Sequence, residues 1–429
     1  MRKSWHRLAA GAAAVLSLSL VLSACSGIKK EEAGSGESGD GKSITLRIMW
    51  WGSQARHDAT LKALDLYSEK NPGITFEPEY QSFDGYQDKL STQSAGKNTP
   101  DIFQMDAAWF NDWASSGRLD YLSSIPADHI DKALLETGTY QGKLYAMPLG
   151  NNAWGMVYNK TMMDSLGVQP PKTWDEFFAM ARDLKPKLAK DQYLTRDLTA
   201  DGAFYMSYQL SMGKGFSMSK DGKFHYDEAT WKDWMNKWAE LRKDNLVTPP
   251  DVTVSDKAQD AQMDLLIQEK ILLRGAHAAE FGGTDALKPG VMALTTQPRG
   301  TQAGGWLKAS MYWSVSPNSQ YKEEAKKFID WFVNSEEAGE ILGTSRGIPV
   351  NKTVAEALQP KFTDVDKSSL GLINEVSKDG VAFDPGPGNK GGWANFTKEY
   401  DNITQSIMFG KISIDEGWDQ IIKLSKSLE

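Results

Sequence analysis

Ile44-Thr-Leu-Arg-Ile-Met-Trp-Trp-Gly-Ser53 is the stretch on which the reading of this chain turns. It reads as a strand that runs into two tryptophans and stops on Gly52. Downstream, Leu61, Leu64 and Tyr67 fall at helical intervals within Asp58 to Lys70, and Asn71-Pro72-Gly73 ends the helix. Ile74 to Tyr80 reads as a second strand, Tyr86 to Ala95 as an amphipathic helix, and Thr99 to Asp106 as a third strand. An aromatic helix start, Ala107-Ala-Trp-Phe-Asn-Asp-Trp113, follows. Strand, helix, strand, helix, strand at this spacing is the pattern of a parallel α/β sheet. In such open sheets ligands bind at the carboxyl ends of the strands. That is where the first strand delivers Trp51.

The residues before Ile44 have a different character. Met1-Arg-Lys-Ser-Trp-His-Arg is a positive n-region, and Leu8 to Leu22 is apolar and uncharged. Leu22-Ser-Ala-Cys25 closes the run with small residues, the layout of a secretory leader. The apolar run is shorter than the roughly 20 residues of a spanning helix. Ser26 to Lys42 is rich in Gly, Ser and charge and predicts a flexible spacer. Gly34-Ser-Gly-Glu-Ser-Gly39 matches G-x-G-x-x-G, but no strand precedes it and no helix pattern follows, so it is read as chance.

The roughly 400 residues beyond the leader exceed what one hydrophobic core serves, which predicts two lobes. A net charge of −8 without any basic stripe argues against nucleic acid as a partner. Cys25 is the only cysteine, so disulfides within the chain and Cys-based metal sites are excluded.

Further along, Tyr140 to Pro148 has a hairpin look and leads into a strand ending at Asn159. Thr173-x-x-Glu176 is a capping box for a helix running towards Pro186, and Ser413-Ile-Asp-Glu416 is another for the last helix. Ile271 to Arg274, Val291 to Thr295 and Met311 to Ser316 read as strands, and His277 to Gly283 as a loop. Trp231, Trp234, Met235, Trp238 and Leu241 form a helical stripe, read as core rather than as a binding face. Trp50, Trp113, Trp174, Trp331 and Trp418 are also expected in the core.

The five histidines form no H-E-x-x-H or close pair, and no nucleophile elbow or P-loop occurs. No cofactor or metal is therefore expected. Paired carboxylates of a glycosidase cannot be seen at this level, which keeps a surface glycoside hydrolase as an alternative. A polysaccharide-binding adhesion module is a second alternative.

What does stand out is tryptophan beside planar polar groups in loops. Trp51 lies near Ser53 and Arg56, Trp109 near Asp106, and Trp154 near Asn151. Trp306 sits in a Gly-Gly-Trp loop, Trp313 on the strand after it, and Trp393 in Gly391-Gly-Trp-Ala-Asn395. Sugar faces stack on aromatic rings while hydroxyls need such polar partners. Arg56, His57, Arg274 and Arg346 add the expectation of a uronate-containing ligand, since Arg pairs bidentately with carboxylates.

Taken together, these motifs resemble the extracellular solute-binding lipoproteins of carbohydrate ABC importers, the maltose-binding-protein-like group. The residues that carry the resemblance are the Leu22-Ser-Ala-Cys25 lipobox, Ile44 to Trp51, Asn71-Pro-Gly-Ile-Thr-Phe76, Thr99 to Asp106, Tyr158-Asn-Lys160 and Ser316 to Phe332. Trp50-Trp-Gly-Ser-Gln-Ala-Arg-His-Asp58 looks most like members of a pectin or plant-oligosaccharide subgroup. The resemblance implies an α/β two-lobe, periplasmic-binding-protein-like fold with crossing segments and a ligand cleft between the lobes. It implies lipid on Cys25, anchoring at the outer face of the cell membrane, and a monomer that serves permease subunits and an ATPase. The expected boundaries are a signal peptide over 1–24, a lipidated linker over 25–43 and the first lobe over 44–152. The second lobe is expected over 153–305, a return segment over 306–350, and a mostly helical part of the second lobe over 351–429. Trp51, Ser53, Arg56, Asp106, Trp109, Asn151, Trp154, Trp306, Trp313, Arg346 and Trp393 are the expected ligand contacts.

Overall fold

The computed structural model describes residues 43–426 apart from 53, 84, 123, 220–222, 385 and 387–392, and gives only backbone for 393–395. The leader, Cys25, the G-x-G-x-x-G run, Ser53 and the side chain of Trp393 lie outside the described residues.

The first lobe opens with β1 (Ile44–Trp51), α1 (Gln54–Lys70), β2 (Ile74–Gln81), α2 (Tyr86–Ala95), β3 (Ile102–Met105) and α3 (Ala107–Ser115). α1 begins four residues earlier than expected, immediately after the Gly52 stop. A short helix α4 (Lys132–Glu136) and the strands β4 (Thr139–Tyr140), β5 (Lys143–Leu144) and β6 (Met147–Pro148) complete this stretch. The second lobe holds β7 (Asn151–Asn159), α5 (Lys160–Ser165), α6 (Trp174–Leu184), α7 (Gly202–Ser211), α8 (Glu228–Lys243) and α9 (Pro250–Ser255). It continues through β8 (Leu273–His277), α10 (Phe281–Leu287), β9 (Met292–Thr296) and β10 (Trp306–Ala309). The chain then gives β11 (Tyr312–Val315), α11 (Lys322–Asn334) and α12 (Glu336–Leu342) to the first lobe. It ends with α13 (Lys352–Leu358), α14 (Asp364–Val376), β12 (Val381–Ala382), α15 (Trp393–Met408) and α16 (Ile414–Ser425).

Two sheets define the architecture. The first has the order β2-β1-β3-β11-β6, with β1 parallel to both β2 and β3 and with β11 antiparallel to its neighbours. β3 and β11 are buried along their whole length, which is why their sequences carry no alternation. The second has the order β12-β10-β7-β8, with β9 also on β7. Its pairs are antiparallel except β10 with β12. Around the first sheet α11 contributes Ala325, Phe328, Ile329 and Phe332 to the core. Around the second, Trp231, Trp234 and Trp238 of α8 are fully buried, as the helical stripe predicted. Both expected capping boxes form, Thr173 with Glu176 and Ser413 with Glu416.

Three chain segments cross between the sheets, and they are bonded to one another. Leu149 N donates to Met311 O (3.0 Å), Ser310 N to Gly150 O (2.9 Å) and Asn151 N to Ile348 O (2.6 Å). Ser310 Oγ donates to the carbonyls of both Gly150 and Arg346. A Cβ on Gly150 would sit 1.7 Å from Arg346 O, so only glycine lets the strands approach this closely. Residues 306–309, expected in the return segment, pair with β7 and stay in the second sheet, so the crossing falls at Ser310.

Candidate functional site

The second lobe builds an aromatic wall where β7 leaves the crossing. Trp154 faces His277 of β8 in register, with ring centroids 4.8 Å apart. The indole lies across Gly275, where a Cβ would come within 2.6 Å of the ring. β10 brings Trp306 alongside, 5.3 Å from Trp154 and nearly parallel at 10°. Phe383, just past β12, stacks on Trp306 at 5.8 Å. Three buried polar atoms here lack a hydrogen-bond partner: Trp154 Nε1, Trp306 Nε1 and His277 Nε2. Trp234, Trp238 and Trp313 also leave Nε1 unpaired; Trp154 (6% exposed) and Trp306 (1% exposed) share one apolar core with Trp234 and Trp238 and differ from them in having His277 beside their stack. Burial lowers the pKa of His277, against the opposing pull of Glu280. The imidazole is therefore neutral near pH 7. His277 Nδ1 lies 3.4 Å from Glu280 Oε1, and Nε2 has no hydrogen-bond partner among the described residues.

The first lobe supplies a second aromatic group at the carboxyl end of β1. Trp51 is only 6% exposed, because Phe83, Tyr86 and Trp109 close around it at 5.5, 4.9 and 5.7 Å. Phe83, on the loop between β2 and α2, is 52% exposed and stacks on Trp109 at 5.8 Å and 17°. Trp51 packs against Phe83 and Trp109 and is as buried as Trp154, while Phe83 presents the open ring. Asp106 caps α3 through Oδ1, accepting from Ala108 N at 2.9 Å. Its other oxygen takes no hydrogen bond from the described residues. Arg56 lays its stem against Gly52 and donates to Ser345 O (2.8 Å) and Trp51 O (3.2 Å). Burial lowers its pKa to about 10.

The two aromatic groups are linked by contacts between the lobes. The Asp106 carboxylate acts electrostatically on His277 across the gap. Asn111 Nδ2 of α3 donates to Gly386 O at 2.5 Å, and Phe383 packs against the cores of both lobes.

Two expected contacts are corrected. Trp313 is fully buried inside the first lobe against Phe332, because its position on β11 points into a core rather than a loop. Arg346 is 4% exposed and reaches Gln104 Oε1 (3.3 Å) and Thr60 Oγ1 (2.9 Å) behind the first sheet. Nor do the four basic residues converge as a carboxylate clamp. His57 accepts a hydrogen bond from Trp50 Nε1 at 3.0 Å in the interior, and Arg274 pairs with buried Asp264 at 3.0 Å. Trp51, Arg56, Asp106 and Trp109 lie in or beside the first aromatic group, Trp154 and Trp306 form the second, and Asn151 faces the other side of β7 from Trp154. Phe83, His277 and Phe383 were missed. Phe83 and Phe383 carry no tryptophan signal, and His277 ends β8 rather than opening a loop.

A cavity of about 530 Å³ lies elsewhere on the second lobe, lined by residues such as Tyr158, Gln297 and Val376. Its rim charges pair with each other, Arg299 with Asp379 and Lys378 with Glu375, and it has no stacked aromatic pair.

Known proteins share this architecture. Residues 51–339 match the family described as bacterial extracellular solute-binding protein, and the chain belongs to that family. A putative binding protein of Brucella abortus is 25% identical over 358 residues, covering 80% of this chain and 83% of that one. The maltooligosaccharide ABC transporter solute-binding lipoprotein of Streptococcus pneumoniae is 23% identical over 366 residues, covering 80% and 81%. The solved extracellular solute-binding protein family 1 of Alicyclobacillus acidocaldarius superposes with a TM-score of 0.74 at 25% identity, covering 90% of this chain and 99% of that one. The two-lobe, periplasmic-binding-protein-like fold follows.

Proposed function

We propose that the protein binds an oligosaccharide reversibly between the two aromatic walls and hands it to an ABC-type permease at the outer cell surface. It is a binding protein of an extracellular family, not an enzyme. The observation that carries the sugar reading is the parallel Trp154–Trp306 stack with three unpaired polar atoms, Trp154 Nε1, Trp306 Nε1 and His277 Nε2, beside it. Apolar ring faces beside unmet donors and acceptors suit a ligand whose faces are C–H and whose edges are hydroxyls. Phe83 and Asp106 offer the same combination from the other lobe. The relative from Streptococcus pneumoniae, named for maltooligosaccharides, supports the class. A uronate unit is accommodated at Arg56, which has no carboxylate partner among the described residues. The Leu22-Ser-Ala-Cys25 box supports lipidation of Cys25 and anchoring at the outer face of the membrane, and no described helix is long and apolar enough to cross a membrane.

The test is a calorimetric screen of neutral against uronic oligosaccharides, with the sugars recovered and sized afterwards. Binding of short oligosaccharides that return intact is expected. Shortened products would point to a hydrolase, and affinity for long polymer alone would point to an adhesion module. Equal affinity for neutral and uronic sugars would remove the acidic ligand. Cys25→Ser should move the protein from the membrane fraction to the medium, and retention would refute the anchor.

A further inference from the structure

Arg346 differs from the other buried charges of this protein. Arg274 faces Asp264, and Arg242 faces Asp197 at 2.5 Å. No carboxylate among the described residues lies within ion-pair distance of Arg346. Its guanidinium packs beside the rings of Trp313 and Phe332, at 5.4 and 5.3 Å from their centroids. Nε and Nη2 are bonded to Gln104 and Thr60, while Nη1 is buried without a partner. The hydroxyl of the preceding residue, Ser345 Oγ, is also buried and unpartnered.

Both residues line one small cavity of about 30 Å³, together with Phe332, Gly343 and Gly347. That is room for one or two water-sized spheres. We infer that this cavity is a binding site for a single small monovalent anion of the halide class, held by Arg346 Nη1 and Ser345 Oγ.

Three occupants compete for the space. Water would meet the two hydrogen-bonding groups but leave the charge uncompensated, and an unpaired buried charge costs several kcal/mol. A sugar carboxylate is too large for the cavity, and Arg346 is shut away from the cleft. A halide satisfies both hydrogen-bond donors and the charge at once. The carboxyl end of α12 at Gly343 offers only a fraction of a charge, and only over its last turn. Arg56, of the same sign, acts on Arg346, and burial together with that repulsion pushes the Arg346 pKa well down. Arg56 also holds Ser345 in place through its carbonyl. The ion would therefore sit on the third crossing segment and tie it to the first sheet.

Crystals of the full protein transferred into bromide should show an anomalous peak within hydrogen-bonding reach of Arg346 Nη1 and Ser345 Oγ. In solution, replacing methanesulfonate by chloride at constant ionic strength should raise Tm by about 2 °C. The rise should vanish in Arg346→Met. If that variant does not fold, the bromide map and the anion series on the unaltered protein still decide. No bromide peak, or a Tm equal in all anions, overturns the inference. A peak without anion dependence is an adventitious ion only and overturns it too.

Discussion

Phe83→Ala is the sharpest probe of the site, because that ring is open to solvent while the residues under it are not. A Phe side chain buries roughly 150–250 Å² when fully enclosed, so a half-exposed one leaves on the order of 100 Å² for a ligand to cover. At about 25 cal/mol per Å² this is worth about 2.5 kcal/mol at most. Removing Phe83 uncovers Trp109 beneath it, which can take part of the contact. The net loss should be about 1–1.5 kcal/mol, a roughly tenfold weaker Kd. Folding should suffer little, since only half of the ring is packed. Isothermal titration of the unaltered protein, Phe83→Ala and Phe83→Tyr measures this directly, with Tm recorded for each. The tyrosine variant should keep most of the affinity. A Kd for Phe83→Ala within twofold of the unaltered protein, in a variant with unchanged Tm, would show that the sugar does not use this wall.

Burial lowers the pKa of His277, so the folded imidazole takes up a proton less readily than the unfolded one. Its contribution to stability is complete above the unfolded pKa of about 6.5 and is lost as pH falls below it. Tm should therefore drop between pH 7.5 and 5, and drop less in His277→Gln; equal drops would contradict the buried neutral histidine. Arg274→Met strips Asp264 of its partner and should destabilise the protein by about 3–5 kcal/mol without changing the preference between neutral and acidic sugars. A shift in that preference with normal stability would place Arg274 in the site after all. Gly150→Ala drives a methyl into Arg346 O and should cost more than about 2 kcal/mol, read by urea unfolding. A tolerated alanine would mean the crossing is looser than described.

Much of the fold was legible because its periods are clean. β1 to α3 alternate in the order the apolar spacing predicts, and both capping boxes announce their helices. The indole stripe of α8 was readable as core because its spacing is helical along a single face. The site was legible only in part. Trp154 and Trp306 stood out as rare residues near polar ones in loops. Phe83 did not, since a phenylalanine in Gln81-Ser-Phe-Asp-Gly85 carries no spacing signal. Trp313 and Arg346 went astray for a physical reason. A strand buried on both faces, like β11, has no alternation to reveal which neighbour a side chain meets. The direction taken by Arg346 depends on three crossings far apart in sequence.

Those crossings have a further consequence. Ser310 stitches Gly150 to Arg346, so a hinge movement of the lobes would act on these adjacent residues first. The apparent Kd is then the intrinsic Kd divided by the fraction of molecules already in the binding-competent arrangement. Substitutions at Ser310 touch no sugar, yet they can scale every affinity by a common factor. Strength of capture and choice of ligand are therefore set by different residues and can evolve, or be engineered, independently.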